Sequence, residues 1–216
     1  MPRRNRVDPW GDLNAAPQRG LFTGNRGCLV DDSGSLVRHH RGNLWIVCVT
    51  EYRDWRHPLD APRTWTPLFF LDDAVALAAG HRPCGLCRRS DYLAYRDALS
   101  AADGAGAPPG AEAINRRLSR ERLRRGRGLD RTPDRIPWRA QLDDLPVGTV
   151  VVDPSGLGVS LVTPAHLQRF GFGGWAPPRP RPGGVLVEVL TPPTSVAALE
   201  NGYRPTLHPS AHRGPQ

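Results

Sequence analysis

The sequence predicts an α+β fold, on three observations. Short β-type runs bounded by glycine, proline and aspartate come early, three helical patterns follow them in the middle, and a second set of β-type runs closes the chain. The 216 residues suit one domain, or one with a small appendage. A hydrophobic content of 39% together with 23 glycines supports a packed core, and 23 prolines beside those glycines predict many loops.

Taken in order, residues 1–20 carry Arg3, Arg4, Arg6 and Arg19 among prolines and read as an irregular basic arm whose order depends on docking. From Cys28 the pattern is a β-meander: a strand to Val30, a turn at 31–34, a strand through Val37, a turn at 41–43, and a strand at 44–49. That last strand is apolar on both faces and is expected to be central. A loop with Pro58, Pro62 and Pro67 leads to a strand at 68–70. Asp72 or Asp73 then caps a helix over 74–79 that Gly80 closes in a left-handed conformation. Tyr92, Leu93, Tyr95, Arg96 and Leu99 recur at helical spacing and predict a helix over 90–102. Residues 104–110 form a linker.

A further helix is predicted over 111–125, where the stripe of Ile114, Leu118 and Leu123 is too narrow for a core helix. Strands at 149–152, 158–162 and 184–190 then build a small, mainly β subdomain packed on the first part. The expected organisation is a basic arm at 1–20, a metal-binding region at 21–103, a linker and arginine-rich helix at 104–136, the β subdomain at 137–207 and a tail at 208–216. One internal echo is present, 76–83 against 198–205. It reads as two short helices closed alike by glycine and a following proline, with a decayed duplication as the other reading.

Charge narrows the partners. All 29 basic residues are arginine, set against 21 acidic ones for a net charge of +8, which excludes an acidic solvated tail. Ten arginines fall between Arg116 and Arg139. Such density attracts phosphates through counterion release, with Trp138 and the basic arm adding stacking and charge. Arg116, Arg120, Arg124 and Arg127, with Arg88 and Arg89, are the candidate contacts to nucleic acid, DNA being the expected partner. A solvated face in an arginine-biased protein is the alternative. No apolar run approaches the roughly 20 residues of a membrane span, so the expected setting is cytoplasmic, with no membrane partner.

In a reducing compartment the four cysteines point to metal, catalysis or burial rather than disulfides. Cys84 and Cys87 form a CxxC, whose spacing lets one tight turn present two thiolates to a tetrahedral zinc ion. Neighbouring Arg82, Arg88 and Arg89 favour the thiolate form. Zinc needs two more ligands, and the candidates are Cys28, Cys48, His39, His40, His57 and His81. On the first and third strands of one meander, Cys28 and Cys48 would stand about 9–10 Å apart, so both bind only if the loop 24–27 folds Cys28 across.

The stretch from Phe69 to Arg89 has an aromatic pair, a short alanine-rich helix, then Gly80-His81-Arg82-Pro83-Cys84-Gly85-Leu86-Cys87 and two arginines. It resembles the second half of the metal-binding domain of Ada, the bacterial alkylated-DNA repair family, and with Leu44 to Cys48 the resemblance covers roughly residues 44–89. It implies a zinc site that includes Cys48, Cys84 and Cys87. Where the family has a further cysteine four residues on, this chain has Tyr52, so the remaining ligand is expected from Cys28 first and His57 second. It also implies that Cys48 stands where Ada accepts a methyl group from a DNA phosphotriester.

Other enzyme classes have little support. There is no glycine-rich phosphate loop, nucleophile elbow or HExxH. Asp72-Asp73 reads as a helix cap and Asp143-Asp144 as the approach to a turn. The expected function is therefore that of a protein with a structural Cys28–Cys48–Cys84–Cys87 zinc knuckle that contacts nucleic acid through arginine-rich surfaces. A zinc-stabilised protein-interaction module, a nuclease using His39 or His40 with Asp31 or Asp32, and an Ada-like alkyl acceptor are the alternatives.

Overall fold

The computed structural model describes residues 3–53, 64–104 and 106–211. Its strands and helices, in chain order, are β1 (Arg4–Val7), β2 (Leu13–Ala15), β3 (Phe22–Asn25), β4 (Ile46–Val49), β5 (Leu68–Phe70), α1 (Asp73–Ala78), β6 (Arg82–Pro83), α2 (Arg89–Ala102), α3 (Ala111–Arg122), β7 (Trp138–Gln141), β8 (Val150–Val152), β9 (Val159–Val162), β10 (His166–Gly171), β11 (Gly174–Trp175), β12 (Arg179–Pro180), β13 (Leu186–Val189) and α4 (Pro193–Glu200). The mixture of helices and two separate sheets is that of an α+β protein. No helix among the described residues is long and apolar enough to cross a membrane.

The first sheet has the order β2-β1-β5-β3-β4-β6, and the second β11-β10-β9-β8-β13-β7, with β12 also paired to β10. Two expectations for the first sheet are corrected. The chain from Cys28 to Val37 does not form two meander strands, since only one isolated bridge, Val30 to Leu36, joins its arms. The strand beside β4 is instead β3, with Phe22 opposite Val49 and Thr23 opposite Cys48. Nor is 1–20 wholly an irregular arm: β1 and β2 pair antiparallel, β1 runs parallel to β5, and Val7 and Leu13 are buried.

Gly24 explains why β3 is hard to read. A Cβ there would lie 2.3 Å from Phe70 Cε2 and 2.8 Å from Ile46 O, so the close approach of ring and backbone requires glycine inside a strand.

The middle of the chain follows its sequence signals more closely. Asp72 is the N-cap of α1, its side chain accepting from Val75 N–H. At the other end Gly80 has φ +85°, Gly80 N–H donates to Leu77 O at 2.8 Å and His81 N–H donates to Ala76 O at 2.9 Å. Helix α4 closes in the same way, with Gly202 at φ +103° and Tyr203 N–H donating to Ala198 O at 2.9 Å. A shared closing motif accounts for the internal echo.

Helix α3 departs from expectation in burial rather than in kind. Ile114 and Leu118 are fully buried among Leu77, Tyr95, Leu99 and Leu199, so a stripe two residues deep suffices once α2 and α4 flank it. The helix ends at Arg122, and Leu123 turns outward into an isolated bridge with Arg135.

The two sheets meet over α1. Ala74, Val75 and Ala78 share one apolar cluster with Leu68 and Phe70 from the first sheet and with Val150, Leu161 and Trp175 from the second. A polar contact runs through the same place: Trp175 Nε1–H donates to Asp72 Oδ2 at 2.7 Å, and His208 N–H donates to the same oxygen at 3.0 Å. Trp175→Phe would leave this buried carboxylate one donor short. The expected cost is about 1–3 kcal/mol in urea denaturation, and an unchanged midpoint would reject the contact as a source of stability.

Candidate metal centre

Cys48, Cys84 and Cys87 are brought together by strand pairing. β6 runs parallel to β4, with Ile46 beside Arg82 and Val47 beside Pro83, and Cys84 N–H donates to Val47 O at 2.9 Å. Cys84 thus leaves the sheet next to Cys48, and the turn after it returns Cys87 to the same point. The Sγ atoms of all three lie within 4.8 Å of one another, the only cluster of three or more possible metal ligands among the described residues. Cys84 is buried, while Cys48 and Cys87 are half-buried.

The donor set suits zinc. Three thiolates bonded at about 2.3 Å to one tetrahedral ion stand about 4 Å apart, and the cluster needs little adjustment to reach that spacing. Leu86 N–H points at Cys84 Sγ, 3.4 Å away, which supports negative charge on the sulfur. Hydrogen bonds from Cys48 and then Cys87 hold the Cys84 thiol far below its ordinary range, and the same contact with Cys84 pushes Cys48 up.

Cys28 is not part of the group, which corrects the expected four-cysteine set. Thr23 is the residue opposite Cys48, and Cys28 lies five positions beyond it, past the end of β3. There its Sγ donates to Val30 O at 3.4 Å. Register, rather than strand separation alone, keeps it away. His57, the second choice, lies outside the described residues, as do Pro58 and Pro62 of the same loop.

A cavity of about 300 Å³ opens on the three sulfurs, with Thr23, Ile46, Tyr52, Trp65, Phe69 and Leu86 among its walls. Tyr52, at the position where the resembling family has a cysteine, therefore faces the centre as an aromatic wall. The sequence does not show this cavity, because its aromatic residues, Tyr52 in one segment and Trp65 and Phe69 in another, are distant in sequence from Cys84 and Cys87.

The arginines flanking the CxxC turn are held internally. Arg82 Nε–H donates to Asn115 Oδ1 at 2.9 Å, joining the turn to α3. Arg88 is 4% exposed, donates to both Asp73 oxygens, stacks over Phe22 at 4.1 Å and also pairs with Asp91. Its expected role in contacting nucleic acid is corrected, since it is buried, one face lies over Phe22 and its N–H groups are engaged with Asp73 and Asp91 within the fold. Arg89, at the start of α2, is exposed.

The arginine-rich segment divides in two. Arg116, Arg120, Arg124 and Arg127 are exposed, and of these Arg116 pairs with Glu112 one helical turn away. Arg122, Arg131 and Arg135 are buried. Arg122 lies over the Trp45 ring at 3.8 Å and donates to Gly80 O and Asn43 O, while Arg26 lies over the same side chain at 4.0 Å. Arg26 in turn reaches Gly11 O and the rings of His39 and His81.

Burial, then repulsion from Arg122 and Arg135, brings Arg26 well below the usual arginine range, and burial lowers Arg122 to about 9. His39 is brought down to about 2 and His40 to about 4, chiefly by burial and then by Arg26.

Of the residues in the alternative nuclease reading, His39 and Asp31 are not brought together. His39 is buried, hydrogen-bonding to Gly11 O, whereas Asp31 sits in an exposed turn where it accepts from Ser33 and Ser35. Compared with protein-family models, with curated proteins and with solved structures, the chain matches none.

Proposed function

We propose that this is a zinc protein in which Cys48, Cys84 and Cys87 hold the ion and the exposed arginines of 116–127 contact nucleic acid. The observation that carries the first part is the convergence of three sulfurs from two adjacent parallel strands and one turn. Thiolate-rich sets select zinc among the common divalent ions, and a bound ion would relieve the crowding of charge and protons among these sulfurs. The arginine surface is supported by its exposure and by the absence of an acidic partner for Arg120, Arg124 and Arg127 among the described residues.

Elemental analysis with thiol titration tests the centre. One zinc per chain, three thiols protected until chelation and Cys28 reactive throughout is the expected result. No metal with all four thiols freely reactive would overturn it.

Charge reversal at Arg120, Arg124 and Arg127 tests the surface. Affinity for a DNA duplex should fall and its salt dependence flatten, by about one unit of slope for each phosphate that an arginine no longer neutralises. Unchanged affinity would remove these residues from the interface.

The cavity beside the sulfurs favours a second reading, in which Cys48 accepts an alkyl group. A methyl group would pass from a DNA phosphotriester oxygen to Cys48 Sγ and leave a phosphodiester. Mass spectrometry of the Cys48 peptide after incubation with methyl-phosphotriester DNA would detect the thioether, and an unmodified peptide would reject the reading.

A further inference from the structure

The end of α3 encloses a second cavity of a different character. It holds about 490 Å³, and Arg120, Arg122, Arg124, Arg125, Arg131 and His40 stand around it with no carboxylate among the residues that line it. Two of these arginines are built into the fold: Arg122 is 2% exposed and Arg131 is 3% exposed. The others, Arg120, Arg124 and Arg125, are exposed, and Arg120 and Arg125 make no hydrogen bond or ion pair among the described residues. Among the described residues, the cavity therefore has a fixed floor, in which Arg122 has no acidic partner and Arg131 pairs with Asp134, and a rim in which Arg124 donates to Arg135 O while the guanidinium groups of Arg120 and Arg125 are free.

Behind the floor lies more positive charge than its neighbours neutralise. Arg26 and Arg135 are buried, and both donate to backbone carbonyl groups rather than to carboxylates. Arg26 Nη2, Arg135 Nε and Arg135 Nη1 are buried without any hydrogen-bond partner. Of the acids nearby, Asp8 and Asp12 act on Arg26 and Arg135 without a direct ion pair among the described residues, Asp134 pairs with Arg131 of the floor at 2.6 Å, and Asp12 also accepts from Arg131 N–H and the Thr132 hydroxyl.

Burying cations without anionic partners is costly, and the cost falls if an anion enters the field they create. Planar guanidinium forks suit an oxyanion that offers several oxygens, as phosphate does. We infer that the cavity at the end of α3, bounded by Arg120, Arg122, Arg124, Arg125, Arg131 and His40, is a binding site for a phosphate group. That the phosphate belongs to a nucleic-acid backbone rests on the proposed function; the anion site itself rests on the cavity and its buried arginines.

The test uses the full chain and inorganic phosphate, with sodium chloride of equal ionic strength as reference. Calorimetric titration should give saturable binding. In an Arg120→Gln/Arg125→Gln double variant it should weaken by about tenfold or more, while Arg38→Gln/Arg169→Gln, at two exposed arginines outside the cavity lining, should retain it. Heat no greater than that of chloride, or equal loss in both double variants, would overturn the site.

A single-stranded oligonucleotide supplies the second arm. Competition between it and inorganic phosphate, with both weakened by the rim variant, supports a nucleic-acid phosphate. Saturable phosphate binding without oligonucleotide binding upholds the site, assigns it to a small phosphate compound and overturns the nucleic-acid reading. Oligonucleotide binding that ignores both phosphate and the rim variant overturns the site and removes Arg120 from the proposed interface, while leaving nucleic-acid binding through the other exposed arginines standing.

Discussion

With zinc at Cys48, Cys84 and Cys87 as proposed, removing it by chelation, or replacing Cys84 with serine, should lower the melting temperature by about 8–16 °C, corresponding to a loss of about 4 kcal/mol. The expectation follows from where Cys84 sits. It is the first residue beyond β6, its N–H continues the β4–β6 ladder, and it is the one residue of the three that is buried. An ion at this point ties β4 to the CxxC turn and, through Arg82 and Arg88, to α3 and α1. The loss is smaller than in an isolated zinc finger, because most of the apolar core lies elsewhere and forms without the metal. Cys28→Ser should have no comparable effect. A melting temperature unmoved by verified metal removal would show that the sulfurs hold no stabilising ion.

Acid is the second large perturbation. His39 and His81 are buried beside Arg26, and His81 also feels Arg122, so both stay neutral in the folded protein far below their ordinary titration range. The nearest acid to His39, Asp12 at 3.9 Å, does not offset burial and the arginines. In the unfolded chain these histidines take up protons near pH 6.5, so the unfolded state binds more protons than the folded state below that pH. Their contribution is fully present above pH 6.5 and is lost as pH falls, toward about 2 for His39. By about pH 5.5 the two together should cost about 3 kcal/mol, with His40 adding in the same direction until it titrates in the folded state.

Urea denaturation at several pH values measures this directly. A His39→Gln variant separates it from any acid-driven loss of metal, because the variant should show a shallower slope. An unfolding free energy that stays flat from neutral pH down to about 5.5 would refute the neutral, buried state of these rings.

Much of the centre of the molecule is legible in the sequence alone. The cap at Asp72, the closing glycine at position 80, the span of α2 and the CxxC turn each depend on local chemistry, and local chemistry is written in consecutive residues. What escapes depends on neighbours distant in sequence. Gly24 and Asn25 read as the start of the loop 24–27 until Phe70 is known to lie against Gly24. Cys28 is a reasonable ligand until the β3 register carries it past Cys48.

The arginines illustrate the same limit. Arg122 and Arg120 are indistinguishable by composition, yet one lies over Trp45 in the interior and the other stands in solvent. An Ile114–Leu118 stripe of two residues gives no hint that the next helical turn is buried as well. Only the closing glycine at position 80, whose missing side chain leaves room for Arg122 Cδ 2.7 Å from where a Cβ would sit, records that approach in the sequence.

The Trp175 to Asp72 contact has a consequence for how the chain comes apart. Helix α1 belongs to the first half by sequence, but its capping carboxylate is held by residues from the second sheet and from the C-terminal segment, and Asp73 is held there too through Thr206. Its small residues are covered from both sides. Neither half keeps an intact interior when cut away at the 104–110 linker, so the linker is not a boundary between independent folding units. The described structure belongs to the class that melts in a single cooperative transition, with α1 among the last elements whose amides exchange with solvent.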